Sequence, residues 1–207
     1  MANVPDRKTF QTVYGGLAPW DIGRPQQAFV DVADRITGSV LDAGCGTGDN
    51  ALFFASLGRQ VTGIDFLDEP IRRAKGKASE RGIQASFLVE DALTIGSWTE
   101  RFDNVIDSGL FHVFSDDDRQ RYVEALRAVV KPGGRLFLLC FSDEMPGTQG
   151  PRRVAKRELH DAFARGWAVE SIVPTQFEVR SDLKDFLFAE GAPKAWFAVL
   201  QRVNASP

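Results

Sequence analysis

Val40-Leu41-Asp42-Ala43-Gly44-Cys45-Gly46-Thr47-Gly48-Asp49-Asn50 constrains this chain more than any other stretch. An apolar run breaks into glycine at every second position, and Leu52-Phe53-Phe54 then opens a helix-like pattern. Alternate glycines let a backbone turn sharply out of a strand and approach a ligand closely. The flanking acids narrow the ligand. A dinucleotide loop aims free N–H groups and a positive helix end at a diphosphate, which Asp42 and Asp49 would oppose. They suit a nucleoside ligand whose nearby charge is positive. The glycine that a dinucleotide fingerprint needs three positions after its second is absent, since Asp49 stands there.

The 207 residues, 43% apolar and 26% charged, suit one globular domain over 1–207 with a substantial core. Residues 1–24 lack clear periodicity yet carry Phe10, Tyr14 and Trp20, and are expected to form a lid on a 25–207 core. With 25 basic against 28 acidic residues, the balance of −3 gives no support for nucleic-acid binding. Cys45 and Cys140 lie in apolar strand-like surroundings without metal-ligand spacing, as reduced packing residues do. The N-terminus has no apolar signal core, and no apolar run approaches the roughly 20 residues that cross a bilayer. The expectation is a soluble cytoplasmic protein without a membrane partner; the oligomeric state is left open.

From residue 25 onward strand-like and helix-like segments alternate, which predicts a parallel sheet covered by helices. A first helix is expected over Pro25–Ile36, then a strand Ser39–Ala43 and a helix to about Leu57, closed by Gly58. Gln60–Ile64 reads as a strand ended by Asp65, and Pro70 as a first-turn proline of a helix through Arg81, closed by Gly82. Strands follow at Ala85–Val89 and Asn104–Ile106, and a helix at Asp116–Val130. Lys131-Pro132-Gly133-Gly134 breaks that helix before a strand at Arg135–Cys140. Residues 141–153 are rich in Gly, Pro, Ser and charge, and Ala155–Phe163 reads as a short helix. Trp167–Val173 and Ala195–Val203 suggest a closing antiparallel pair, with Phe177–Arg180 a further strand-like piece.

Asp65 ends the second strand twenty-one residues beyond Gly44. A carboxylate at that edge can accept both hydroxyls of a ribose, although an acid at a strand end also serves as a helix N-cap. Phe66 beside it can stack on an adenine or fill the core. Further along come Glu90-Asp91-Ala92-Leu93, then Phe102-Asp103-Asn104-Val105-Ile106-Asp107-Ser108-Gly109-Leu110-Phe111-His112, then Leu126 to Leu136 with its Lys-Pro-Gly-Gly turn. In this order and spacing, over roughly residues 38–141, the four segments resemble the motifs of class I S-adenosylmethionine (SAM)-dependent methyltransferases. The resemblance implies a single-domain Rossmann-like α/β fold: a mostly parallel seven-stranded sheet with an antiparallel C-terminal strand and helices on both faces. It implies SAM as cofactor, which carries a sulfonium and an ammonium but no phosphate. It places Asp42, Gly44, Gly46, Gly48, Asp65, Phe66 and Asp107 about that cofactor, with Asp91 and the Ala92 backbone at the adenine.

Pro19-Trp20-Asp21-Ile22-Gly23-Arg24-Pro25 resembles a signature of small-molecule methyltransferases that act on thiols and halides, with thiopurine methyltransferases as broader relatives. There the N-terminal segment folds over the cofactor. Carried over, Trp20 covers the methionine portion and Arg24 pairs with its carboxylate; a packed aromatic and a surface salt bridge are the alternatives.

Methyl transfer is an in-line displacement from an activated sulfonium, so the protein's main tasks are alignment and exclusion of water, worth about 7–11 kcal/mol in favourable cases. A thiol with a reference pKa of ~8.5 is already a few per cent thiolate at neutral pH, whereas a phenol near ~10 costs about 4 kcal/mol to ionise at pH 7. A base therefore matters more for hydroxyl acceptors. His112 is the histidine placed for it; in Leu110-Phe111-His112-Val113-Phe114 it can equally be a packed residue. His160 reads as inert. Asp143, Glu144, Arg152 and Arg153 either line the substrate mouth, where arginines favour an anionic acceptor, or sit in a solvated loop. The function expected is methyl transfer to sulfur, oxygen or nitrogen of a small thiol, hydroxyl or heteroaromatic acceptor, without a metal. A Rossmann-fold NAD(P)-dependent oxidoreductase and a non-catalytic SAM-binding protein are the other readings, and an RNA or protein methyltransferase is disfavoured by the charge balance.

Overall fold

In the computed structural model, which describes residues 7–16, 18–147, 150–182 and 193–203, a seven-stranded sheet organises the chain. Residues 1–6 and 17 of the expected lid and residues 148–149 of the 141–153 loop lie outside the described residues. Strands β1 (Ser39–Ala43), β2 (Gln60–Asp65), β3 (Ser86–Val89), β4 (Phe102–Ser108), β5 (Val130–Phe141), β6 (Trp167–Gln176) and β7 (Lys194–Arg202) lie in the order β3-β2-β1-β4-β5-β7-β6. The first five pair in parallel, and β7 runs antiparallel between β5 and β6. Ala43 is level with Ile64 on one side and Asp107 on the other. The carboxyl ends of β1, β2 and β4 therefore form one edge, and the strand order reverses there. In open α/β sheets that reversal is where ligands bind.

Alternation along the strands explains why both faces are covered. Leu41, Val105, Leu136 and Leu138 point into one buried cluster; Val40, Ile106, Phe137 and Leu139 point into the other. Helices α5 (Asp116–Val129) and α6 (Lys156–Ala162) cover the first face with Tyr122, Leu126 and Leu159. Helices α3 (Asp49–Ser56) and α4 (Asp68–Arg81) cover the second with Leu52, Phe54, Ile71 and Ala74. The ends of these helices follow local chemistry. Ser115 Oγ accepts from the Asp118 amide at 3.1 Å and starts α5, and three aspartates occupy its first turn. Gly82, at φ +63°, closes α4 just after Arg81.

Three expectations need correction. Pro25–Ile36 is not one helix but a single turn, α2 (Gln27–Val30), and a 3-10 turn at Ala33–Arg35, with Val32 out of helical geometry. Tertiary bonds override the periodicity. Asn50 Oδ1 accepts the Gln26 amide at 2.9 Å, and the Gln26 side chain pairs with both backbone groups of Glu178. Second, β5 begins at Val130 rather than Arg135. Val130 pairs with Phe102 and Arg135 with Asn104, so Lys131–Gly134 bulges out opposite Asp103. Lys131 Nζ meets the Asp103 carboxylate at 2.9 Å across that bulge. Third, Phe177–Arg180 is not a strand. It clasps the N-terminal segment, with the Arg180 amide donating to the Pro19 carbonyl at 2.8 Å.

Candidate active site

At the shared strand edge opens a cleft of about 710 Å³. The loop after β1 forms its floor. Gly44 and Gly46 hold positive φ of 71° and 53°, and their missing Cβ atoms let Leu110 and Tyr14 pack closely on the loop. A Cβ on Gly46 would stand 2.8 Å from Tyr14 Oη, and one on Gly44 3.1 Å from the Leu110 side chain. Asp65, at the end of β2, is 6% exposed, and its carboxylate is fixed by backbone donors. The Gly46 amide donates to Oδ2 at 3.2 Å and the Leu67 amide to Oδ1 at 3.0 Å. The turn before α4 is thus capped by Asp65, while the helix's own cap position is Leu67.

Beside Asp65 stand Phe66, Asp91 and Ala92. Asp91 is exposed, and its Oδ1 accepts the Leu93 amide at 2.9 Å. Helix α1 (Arg7–Tyr14) and Trp20 form the opposite wall. Phe10 meets Phe66 edge-on at 5.7 Å and Trp20 at 6.1 Å, and the Trp20 indole N–H donates to Tyr14 Oη at 3.1 Å. Burial and the nearby Asp65 charge push the Tyr14 phenol well above its ordinary value. The far end of the cleft is aromatic, with Phe114, Phe141, Phe177 and His112.

Nine of the residues singled out from sequence line this cleft: Trp20, Arg24, Gly44, Gly46, Asp65, Phe66, Asp91, Ala92 and His112. Three stand outside its wall. Gly48 abuts α4, where a Cβ would lie 2.9 Å from both Ala74 and Phe87. Asp42 and Asp107 sit beneath the loop, 1% and 0% exposed. Asp107 accepts the Tyr122 hydroxyl at 3.0 Å and the Leu110 amide at 2.8 Å. Neither Asp42 oxygen has a hydrogen bond of good geometry among the described residues, although the Ala51 amide approaches the carboxyl. Burial raises both carboxyls, and the nearby Asp107 raises Asp42 further. The hydrogen bonds settle the division: Asp107 keeps the charge and Asp42 the proton.

Two further placements differ from the sequence expectation. Asp49 lines the cleft, but Lys77 Nζ meets its Oδ2 at 2.7 Å and Arg81 approaches its Oδ1 at 3.6 Å. Its negative charge is therefore largely compensated, and the other acids lining the cleft are Asp65, Glu90, Asp91 and Asp118. Arg24 stands at the mouth with both guanidinium arms on Glu178, at 3.0 and 2.7 Å. That geometry engages the donors expected to reach a cofactor carboxylate.

A cluster beside the cleft, reaching it through Thr47, carried no sequence signal for a site. Lys77 Nζ also reaches Thr47 Oγ1 at 2.8 Å and Asp21 at 3.5 Å, and Thr47 donates to Asp21 at 2.8 Å. This cluster ties α4, the glycine loop and the N-terminal segment together. Its members lie between 26 positions (Asp21 and Thr47) and 56 positions (Asp21 and Lys77) apart, and no local pattern links them. Phe141 ends β5 and Phe177 follows β6, so no local pattern links them either.

A carboxyl-edge cleft with a glycine floor and a strand-end carboxylate defines a Rossmann-like enzyme that takes a nucleoside cofactor. A family described as "Methyltransferase domain" matches residues 40–134. The chain is 32% identical over 186 residues to the 2-heptyl-1-hydroxyquinolin-4(1H)-one methyltransferase of Mycobacteroides abscessus, covering 84% of this chain and 82% of that protein. It is 34% identical over 172 residues to probable thiol methyltransferase 2 of Arabidopsis thaliana, covering 79% of this chain and 75% of the relative. A solved structure described as "Conversion of a Disulfide Bond into a Thioacetal Group during Echinomycin Biosynthesis" superposes with a TM-score of 0.82 at 37% identity, covering 96% of this chain and 93% of that one. The chain belongs to the SAM-dependent methyltransferases, with the class I fold, and SAM is its methyl donor. Its relatives act on small molecules.

Proposed function

We propose that the enzyme methylates a compact, largely apolar acceptor at sulfur or oxygen, an aryl thiol or a hydroxylated heteroaromatic, held in the aromatic end of the cleft. What carries this reading is the continuity of the cleft. Its polar half, at Gly44, Gly46, Asp65 and Asp91, runs into a half walled by Phe114, Phe141, Phe177 and His112. A cleft of about 710 Å³ falls within the usual range of small-molecule sites. The relatives' names, a hydroxyquinolone methyltransferase and a probable thiol methyltransferase, agree with both acceptor chemistries.

The residues present fit the cofactor. Asp65 is anchored by two backbone amides and keeps capacity for ribose hydroxyls. Phe66 offers a ring face for the adenine, and Asp91 accepts its amino group. The cleft beside Gly44 and Gly46 admits the methionine arm, under a lid made by α1 and Trp20. SAM supplies an activated methyl group when bound. The chain's part is to align that group with the acceptor and keep water out. Arg24 acts on the lid, latching residues 24–27 to Glu178, whose Oε2 also accepts the Gln27 amide at 2.7 Å. Among the described residues no helix is long and apolar enough to cross a membrane. With two free thiols, that accords with a cytoplasmic enzyme.

The test is a panel of aryl and alkyl thiols, phenols and N-hydroxy heteroaromatics incubated with SAM and followed by mass spectrometry. Aryl thiols or hydroxylated heteroaromatics should gain one methyl group with the highest kcat/KM. Turnover confined to flexible, charged alkyl acceptors would overturn the acceptor class.

A further inference from the structure

His112 looks like a general base in sequence, and its surroundings give it a different task. The ring is 4% exposed and lines the aromatic half of the cleft. Its Nδ1 accepts the Phe141 backbone N–H at 2.9 Å. An amide nitrogen can only donate, so Nδ1 must present a lone pair. The ring hydrogen is therefore on Nε2. Nε2 lies over Gly109, where an added Cβ would stand 3.4 Å away, and no group among the described residues pairs with it. Phe141, with its ring 4.6 Å from the imidazole, and Phe177, at 6.1 Å, hold it in place.

The charges facing the ring are cationic. Arg119 of α5 lies 4.4 Å over the Phe111 ring, and its Nε and Nη2 are buried without partners among the described residues. Arg153, in the loop before α6, lies 5.4 Å over Phe141. Glu158 of α6 offsets part of this field, with Arg119 at 3.3 Å and Arg152 on the same oxygen. Asp116 is engaged by Arg152, Asp143 receives the Trp196 indole N–H at 3.3 Å, and Asp107 is turned toward Tyr122 and the Leu110 amide. Burial, Arg119 and Arg153 together push the imidazole down to about 3. A group that stays neutral in such a field is a poor proton acceptor.

We infer that His112 is a fixed Nε2–H hydrogen-bond donor that receives the acceptor as its anion, so the enzyme selects acceptors that ionise by themselves. This rests on the acceptor site proposed above. The balance is complete without a protein base. The acceptor loses its proton to water before or during entry, and its lone pair forms the bond to the methyl carbon. The C–S bond breaks, its electron pair stays on sulfur, and neutral S-adenosylhomocysteine leaves with the methylated acceptor. The cationic field of Arg119 and Arg153 favours the anion in the same direction as it disfavours imidazolium.

Two measurements test this. The chain has 2 histidines, so two-bond 1H–15N spectra of the enzyme, with His160→Gln to assign them, read the His112 tautomer directly. His112 should stay in the neutral Nε2–H form from pH 8 to 5, and S-adenosylhomocysteine with thiophenolate should shift its Nε2 resonance. The second measurement is the pH dependence of kcat/KM with 4-nitrothiophenol, thiophenol and benzyl thiol, in falling order of acidity. Below each thiol's own ionisation the value should rise about tenfold per pH unit, and the level region should move with the thiol. His112→Gln keeps a donor but no base, and should retain more activity than His112→Ala. A bend fixed at one pH for all three thiols and lost in His112→Gln, or an imidazole titrating near its ordinary value, would overturn the inference. Absence of any thiol methylation by the unaltered enzyme would instead count against the acceptor class, since the spectra are read independently of turnover.

Discussion

The two halves of the cleft are built in opposite ways. The half proposed for the cofactor is made largely of backbone: glycine turns, amides on Asp65, and strand ends that the sheet holds level. The half proposed for the acceptor is made of side chains gathered from the segment after β4, the end of β5 and the segment after β6. A backbone-built site demands particular residues at fixed spacing, whereas a side-chain wall demands only volume and apolarity. The first can serve one constant ligand, and the second can be remodelled for different acceptors without disturbing the sheet.

The largest effect that separates the halves should come from Asp65→Ala. Losing two hydrogen bonds to a charged group removes about 3 kcal/mol, or roughly 100-fold in SAM affinity by calorimetry. The acceptor KM at saturating SAM should change little. Unchanged SAM affinity would show that the ribose lies elsewhere.

Phe114→Ala probes the other half. Phe114 is half-buried against Tyr122, with ring centroids 5.0 Å apart. Trimming the wall should raise the acceptor KM about tenfold, on the order of one partly buried ring, and leave SAM affinity within about twofold. Equal losses for both ligands would dissolve the division between the halves.

Beneath both halves lies the Asp42–Asp107 pair. The native state raises the Asp42 carboxyl, so it binds more protons than the unfolded chain above the ordinary carboxylate range. Its stabilising contribution is complete below that range and is lost as pH rises. Asp42→Asn should therefore gain stability relative to the parent between pH 5 and pH 8, by at most about 1.4 kcal/mol per unit. Urea melts at several pH values measure the gap, and a pH-independent gap would remove the shared proton from the account.

The smallest effect concerns the latch. Arg24 is 56% exposed on its side chain, so its pair with Glu178 should be worth only about 0.5 kcal/mol, near twofold in SAM affinity. Arg24→Ala, Glu178→Ala and the double variant should then weaken SAM about equally. If Arg24 instead holds the cofactor carboxylate, its loss will exceed that of Glu178 and the two effects will add.

This contrast also explains what could be read before the fold was known. Gly44, Gly46, Asp65 and Asp91 were legible because strand periodicity fixes where a carboxyl edge falls. Asp42 and Asp107 were placed at the right depth of chain but on the wrong side of the loop, because spacing does not tell which way a strand-end side chain points. Asp49 carries less weight in the fold than in the sequence for a related reason. Its partner Lys77 stands 28 positions away, so an acid that reads as free is compensated in the fold. Pro25–Ile36 failed as a helix because Asn50 and Glu178 hold Gln26 by long-range bonds. His112 was found by position, but its tautomer depends on the Phe141 amide, 29 positions on.

The central claim is that SAM occupies the backbone-built half with its sulfur facing the aromatic half. A crystal structure with S-adenosylhomocysteine and an aryl methyl thioether measures this directly. The account predicts ribose hydroxyls on Asp65, the adenine between Phe66 and Asp91, and the thioether ring among Phe114, Phe141 and Phe177. A nucleoside bound away from Asp65, or a thioether outside that aromatic wall, would contradict it.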